Sequence, residues 1–514
     1  MIKKAFLTAL VVSGVIFMFS LSAFACTTIS VGKKATVDGS TLTSYNCDCG
    51  GCNWHNRIVP AKDWEEGALR SIGEEYGTIP QVAHTYQTLG GYVMNEKGVS
   101  LGETTCPIDT STEYGKKVKE VMFSSKGLIN YEYIMDVVVE RVATAREGVE
   151  LLGKLVETYK WAPIEAECFN FADGNEVWIM EVYGHDLWCA FRLADDEVFV
   201  SANACRIRDI DLNDTENVLH SPNIVSFAVE QGWYDPDSGK PFRPADVYAP
   251  KSTVYNTRRV WRAYDLMAPS LKLSPHETEY PLTVKPDAKL SVDDIFKIVG
   301  DHYEGTEYDL TKGPAAGPWG NPLRYANKGN GDWERSIGLH RTFLYFIAQI
   351  RGDLPDPIKG VAWFGYCDPG SSYITPLSGS MKDVPSCYTT GSKREPFDPD
   401  GGWWACAFVQ QMAELRYNQA IQDIREFRDP KLAMLYQTVP LVQDKAAAMY
   451  GSDPEGALDL LHNFYYQQAL ALHAGWKDLG RQLLGKYALG YVNFKTAEYP
   501  EEWNKLIGYG PLER

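Results

Sequence analysis

Ala23-Phe24-Ala25-Cys26-Thr27-Thr28-Ile29-Ser30-Val31-Gly32 is the stretch on which the reading of this chain turns. Its first three residues form a small-x-small cleavage signal. Upstream lie a basic pair, Lys3 and Lys4, and a run from Ala5 to Phe19 that is apolar apart from Thr8, Ser13 and Gly14. That run falls short of the roughly 20 residues needed to span a bilayer, so a cleaved secretory segment over 1–25 is expected rather than an anchor. A lipoprotein also begins with cysteine, but its signal places leucine and two small residues where this chain has Ala23, Phe24 and Ala25, and Phe24 is too bulky. The mature chain is therefore expected in the periplasm or outside the cell, starting at Cys26 with a free α-amine.

A thiol beside a free α-amine is a nucleophile and its base within one residue. The amine has an ordinary pKa of about 7.7–8.0 and can take a proton near neutrality. The thiolate can then attack a carbonyl and form an acyl-enzyme that water hydrolyses. Such a site needs oxyanion donors and a carboxylate to orient the amine, but no metal or cofactor. The competing reading makes Cys26 half of a disulfide. Downstream, Cys26 to Gly32 reads as a strand, Lys33 to Gly39 as a turn and Ser40 to Tyr45 as a return strand, so a hairpin is expected.

The composition narrows the field. Of 514 residues, 45% are apolar and 12% aromatic, which describes a folded chain. Fifty basic against 67 acidic side chains give a net charge of −17, with no Lys/Arg stripe for nucleic acid or an anionic membrane surface. There is no Gly-x-Ser-x-Gly elbow, no His-Glu-x-x-His helix and no phosphate loop ending in Lys-Ser/Thr.

Several blocks carry a resemblance. Cys26-Thr27-Thr28, Gly32-Lys33-Lys34-Ala35, Asp38-Gly39-Ser40-Thr41 and Asp48 resemble the start of the secreted and cytosolic cysteine dipeptidases. These are N-terminal-nucleophile hydrolases, cousins of bile-salt hydrolase and penicillin V acylase. Gly91 to Gly98, Gly102-Glu103-Thr104-Thr105, Glu176 to Glu181 and Ser201-Ala202-Asn203 are similar to further blocks of the family. So are Thr257 to Arg262, His302 to Gly313, Ala348 to Arg351 and Gly360 to Trp363, so that the likeness covers roughly residues 26 to 500.

The resemblance implies an α+β fold, an αββα sandwich of two antiparallel sheets between helical layers. It makes Cys26 the nucleophile and its amine the base, Asp48 the residue that orients amine or thiol, and Asn203 an oxyanion-hole donor. Thr105 falls where the bile-salt hydrolase cousins place another oxyanion donor. Arg258 falls near a cousin active-site arginine, with Arg259 and Arg262 equally available. Many relatives carry an arginine three residues before the acidic position; here it is Tyr45, which cannot hold a thiolate through charge. The departure is read as a subgroup feature. Taken singly, Asp48 reads as a cap and Asn203 as a turn residue, but their ordered occurrence after Cys26 argues otherwise; Glu103 and Glu181 read either as family residues that brace the site or as solvent-facing partners of nearby lysines.

Eleven cysteines in an exported chain invite disulfides, and reserving Cys26 leaves an even number, consistent with up to five bridges. Within Asn46 to His55, Cys47, Cys49, Cys52 and His55 are a candidate zinc set, disfavoured because such short spacings wrap poorly around one ion. Bridges within this loop or to Cys106 are expected instead. His302 beside Glu304 reads as a structural turn.

Helical periodicity runs from Tyr131 to Val156 with a break near Gly148. Strands are expected at Cys168–Phe171, Val177–Val182, Leu187–Leu193 and Val198–Ser201. Gly/Pro-rich loops at 312–324 and 369–402 are candidate substrate rims. Helices are expected over 404–425 and 431–489. The organisation is one hydrolase domain, 26–404, with a helical extension, 405–514. The expected activity is hydrolysis of dipeptides, in a chain that can form homo-oligomers. An N-acyl amide hydrolase of the same fold and a non-catalytic exported binding protein stabilised by disulfides or zinc are the alternatives.

Overall fold

The computed structural model describes residues 26–508 apart from 125, 163–164, 252, 324–334 and 494. The expected signal segment, 1–25, lies outside the described residues. The chain is α+β, built on antiparallel sheets. Strands β1 (Thr27–Val31) and β2 (Thr41–Cys47) form the expected hairpin, with Thr27 opposite Asn46 and Thr28 opposite Tyr45. Asp38 shapes the turn by accepting hydrogen bonds from the Ser40 amide at 3.1 Å and hydroxyl at 2.6 Å. Gly39 adopts φ +79°, where a side chain would be strained.

Further along lie β3 (Ser100–Cys106), β4 (Ala166–Ala172), β5 (Val177–Gly184), β6 (Leu187–Arg192), β7 (Val198–Ser201) and β8 (Val218–His220). They are followed by β9 (Thr283–Val284), β10 (Leu344–Ile350), β11 (Gly360–Tyr366) and β12 (Thr375–Leu377). A seven-stranded sheet runs β9-β7-β1-β2-β10-β11-β12, and a five-stranded one runs β3-β4-β5-β6-β8. The four strands expected over 167–203 are present as β4 to β7, but only β4 to β6 form a meander; β7 crosses to the other sheet and pairs with β1 and β9. The central strands are buried along both faces, so they lack the polar alternation of a half-solvated sheet.

The sheets meet through polar contacts. Thr28 donates to Asn170 Oδ1 at 3.0 Å, Asn170 Nδ2 donates to Ser30 at 2.8 Å, and Thr104 bonds Ser201 at 2.5 Å. Gly102 permits the close approach, because a Cβ there would stand 3.0 Å from Cβ of Tyr45.

Helices α1 (Tyr131–Val139) and α2 (Ala145–Tyr159) are capped by Asn130 and Thr144. The break therefore falls before Ala145, not near Gly148. Gly148 lies inside α2, where a Cβ would meet Phe171 at 2.7 Å; the glycine marks a contact with β4 rather than a helix end. Helix α3 (Val254–Met267) starts with a Thr253–Asn256 capping box. Helix α4 (Val292–Val299) packs Phe296 on Tyr345 of β10, and its Val299 carbonyl accepts from Asn46.

The expected helix boundaries near Arg425 and Lys431 are corrected. Helix α5 (Gly402–Glu414) is followed by α6 (Tyr417–Tyr450), which runs unbroken through Pro430 and Pro440. Interior prolines each cost a helix about 3 kcal/mol, but Arg428 is held by the carbonyls of Gly370 and Ser372. Leu432 and Leu435 are buried beside it. The break comes at Gly451–Ser452 instead, where Asp453 caps α7 (Pro454–Tyr487). Helix α7 lies along β12 at one edge of the large sheet, with Trp476 against Tyr373. Among the described residues no helix is long and apolar enough to cross a membrane.

Candidate active site

Cys26 immediately precedes β1 and is fully buried. The β1–β2 register places it across from Cys47 at the end of the neighbouring strand. Its thiol donates to Glu103 Oε1 at 3.6 Å and approaches the Tyr45 hydroxyl at 3.8 Å. Tyr45 in turn donates to the same Glu103 oxygen. Where relatives are expected to carry an arginine, this chain therefore puts a phenol that bonds a carboxylate. Burial pushes the Cys26 thiol well above its ordinary pKa, and Cys47, Glu103 and Asp48 add to the shift. Tyr45 is raised by burial too. With its nitrogen in a peptide bond to Ala25, Cys26 is a neutral thiol.

The backbone around Cys26 is held by Arg259 of α3. Its Nη1 donates to the Cys26 carbonyl and to Thr27 Oγ1, each at 2.8 Å. Its Nη2 donates to the Ala202 carbonyl at 2.9 Å and to Asn203 Oδ1 at 2.8 Å. One planar fork thus ties the start of β1 to the end of β7. Burial, then the charge of Arg335, lowers Arg259 to about 9. Asn203 adopts φ +63°, a left-handed conformation that asparagine tolerates better than most residues. Its Nδ2 donates to the Thr105 carbonyl at 2.8 Å.

Arg335 Nη1 donates to Asn203 Oδ1 at 3.0 Å, and its Nη2 pairs with Asp48. The other Asp48 oxygen accepts from Thr342 at 2.5 Å. Burial raises the Asp48 pKa, with Arg335 and Thr342 pulling the other way. The carboxylate expected to orient the amine or thiol is thus bonded to Arg335 and Thr342, and joins the cluster through Arg335 and Asn203.

The structure brings Cys26, Asp48, Asn203 and Thr105 into one connected network. The arginine that reaches Cys26 is Arg259 rather than Arg258, which lays its guanidinium 3.5 Å over the Tyr308 ring. Arg262 pairs with Asp301. The helical phase of α3 decides among the three, and no residue-type signal separates them. Arg335 and Glu167 are additions that sequence reasoning missed. Glu181 is buried, accepting from the Arg206 and Ile207 amides and from Tyr183, which rules out the solvent-facing one of its two readings. Glu103 is buried as well.

One disulfide, Cys49–Cys52, lies within the expected loop; the other nine cysteines, Cys106 among them, are free thiols. That bridge takes two of the four candidate zinc ligands, and His55 pairs with Glu395. His302 sits between Glu304 at 3.1 Å and Asp368 at 3.3 Å. A cavity of about 710 Å³ is lined partly by the 312–320 loop, one of the expected rims, and by Tyr417 and Trp503. It shares no lining residue with the Cys26 cluster.

The chain is 30% identical over 383 residues to a probable dipeptidase of Latilactobacillus sakei, covering 71% of this chain and 76% of that protein. It is 30% identical over 389 residues to a probable dipeptidase of Salmonella dublin, covering 72% and 84%. To dipeptidase A of Lactobacillus helveticus it is 24% identical over 410 residues, covering 76% and 82%. The model of peptidase family C69 matches residues 25–429. With that match beginning one residue before the buried cysteine and spanning both sheets, the chain belongs to peptidase family C69, a family of cysteine peptidases, and is a hydrolase acting on peptide bonds.

Proposed function

We propose that this protein is an exported dipeptidase of the N-terminal-nucleophile class, matured by removal of residues 1–25. In this reading residues 26–404 are the hydrolase domain and 405–514 a helical extension packed on it. The facing of two antiparallel sheets with helices packed on them supports an αββα sandwich. The relatives named as dipeptidases support the substrate class.

The observation that carries the reading is Cys26 itself, immediately before the hairpin's first strand, with its carbonyl clamped by Arg259 and its thiol turned to Glu103. Removal of residues 1–25 turns the Cys26 amide into an amine that takes the thiol proton. The resulting thiolate attacks the carbonyl carbon of the dipeptide bond, and the oxyanion is held by N–H donors, with Asn203 and Thr105 assigned there. Collapse breaks the C–N bond, the leaving amine takes the proton from the Cys26 ammonium, and water hydrolyses the thioester. Arg259 and Arg335 fix Asn203 so that the donor geometry exists before substrate arrives.

The test is the intact mass and N-terminal sequence of exported protein, with and without a thiol alkylator, followed by a dipeptide panel. A Cys26 terminus that alkylates with loss of dipeptide hydrolysis is the expected result. A retained or acylated terminus, or hydrolysis that survives alkylation, overturns the mechanism. Hydrolysis of an N-acetylated dipeptide in preference to the free one would instead make this an N-acyl amide hydrolase.

A further inference from the structure

Glu103 and Glu167 are two buried carboxylates that the mechanism above does not use. Glu103 is 3% exposed and Glu167 is fully buried. In the β3–β4 ladder Thr105 stands opposite Glu167 and Glu103 opposite Phe169, so both carboxylates share one face of adjacent strands. One Glu103 oxygen serves Cys26 and Tyr45. Its second oxygen and both oxygens of Glu167 receive no hydrogen bond of normal length. Neither residue is ion-paired with a lysine or arginine among the described residues. Burial raises the Glu167 pKa well above the carboxylate range, and the neighbouring Glu103 adds to it.

An unpaired carboxylate in a dry interior is strongly disfavoured, and two near each other are worse. Such a pair is matched by a cation that arrives with the reaction. In a dipeptide the ammonium nitrogen lies only about 2.5 Å from the scissile carbonyl carbon, two bonds away. A nucleophile attacks from about 3–3.5 Å. The ammonium must therefore sit within about 6 Å of the sulfur, and Glu103 is already 3.6 Å from it.

We propose that Glu103 and Glu167 form the receptor for the α-ammonium of the substrate's N-terminal residue and so restrict Cys26 to the first peptide bond of a chain with a free amine. The proposal rests on the dipeptidase reading and deepens it. An N-acylated substrate would present a neutral amide to the carboxylates, and a longer N-terminal segment would set peptide backbone against them. Both glutamates act here as specificity-determining residues, separate from the proton transfer between the Cys26 amine and thiol.

The experiment uses processed protein and one dipeptide in free and N-acetylated form. Glu167→Gln, close to isosteric, should lower kcat/KM for the free dipeptide at least 30-fold, mainly through KM. The rate on the N-acetylated form should stay the same or rise. An equal fall on both substrates would mean that the carboxylates serve the nucleophile or the fold, and no fall on either would mean that they bind nothing; each overturns the proposal. Should the variant not fold, the wild-type protein gives the answer. An amino-acid amide must inhibit competitively, its N-acetyl form must inhibit at least tenfold less well, and equal inhibition by the two refutes the proposal. If wild-type protein cleaves neither dipeptide, the dipeptidase reading itself fails and this inference with it. If it cleaves them without these preferences, only the inference fails.

Discussion

Replacing Arg259 by lysine tests whether the clamp on Cys26 is geometric or merely charged. The guanidinium makes five hydrogen bonds, to the carbonyls of Tyr255, Cys26 and Ala202, to Thr27 Oγ1 and to Asn203 Oδ1. A lysine ammonium offers three donors from one point, so at least two of these bonds are lost. At about 1.5–3 kcal/mol for each bond to a charged group, the loss is about 3–6 kcal/mol. It is shared between stability and the placement of Cys26 and Asn203. The site already disfavours positive charge, since burial and Arg335 bring Arg259 down to about 9. A lysine there would shed its proton more readily still. The expected outcome for Arg259→Lys is a fall in kcat/KM of about 100-fold or more, 1.36 kcal/mol being tenfold, together with a lower unfolding temperature by tryptophan fluorescence. A variant within threefold of wild type in hydrolysis and with an unchanged melting temperature would refute the account of Arg259 as the tie between β1 and β7.

Three further outcomes follow from the buried charges and the disulfide. His302 is disfavoured as a cation by burial, but Asp368 and then Glu304 outweigh that and hold its pKa well above 6.5. Its contribution to stability is complete below about pH 6.5 and is lost as pH rises through the higher folded value, so His302→Gln should flatten the alkaline side of a melting-temperature profile. Asp136, raised to about 7 by burial, keeps its proton in the folded state where the unfolded chain has lost it. Stability should therefore fall between about pH 4 and 7, and Asp136→Asn should remove that part of the fall. Replacing Cys49 and Cys52 together by serine opens a short loop and should cost about 2 kcal/mol in urea unfolding. Lys393 and Arg394 hold the Cys49 and Gly51 carbonyls independently of the bridge, so dipeptide hydrolysis should change less than threefold.

The elements readable from the sequence were those whose signals are local. Asp38-Gly39 marks a turn by its own chemistry, and β4 to β6 follow in a meander with short connections, whereas nothing local shows that β7 crosses to the other sheet. The break expected between 425 and 431 is absent, and the contacts that hold α6 beside Pro430 come from Pro369 to Ser372, some sixty residues away in sequence. Gly148 misled for the same reason, its partner Phe171 lying on another element. At the site, Cys26 could be singled out by the cleavage pattern before it, and Asp48 and Asn203 by resemblance. Arg335 meets Asp48 across 287 residues, and nothing near Arg335 announces the pairing. Glu103 and Glu167 look like ordinary polar strand positions until the ladder sets their face inward.

The position of α7 against β12 has a consequence for how the chain avoids its own copies. An antiparallel sheet ends in strands whose outer N–H and C=O groups can recruit a foreign strand. Here one end of the seven-stranded sheet is β9, only two residues long, and the other is β12, three residues long with Pro376 at its centre. Proline removes a donor from that rim, and α7 lies along it. The last long helix thus shields the sheet against templated aggregation, and it is made only after every strand of that sheet has left the ribosome. Until then the rim has only its shortness and its proline for protection, which makes the interval before α7 docks the point at which a folding chain is most exposed to its neighbours.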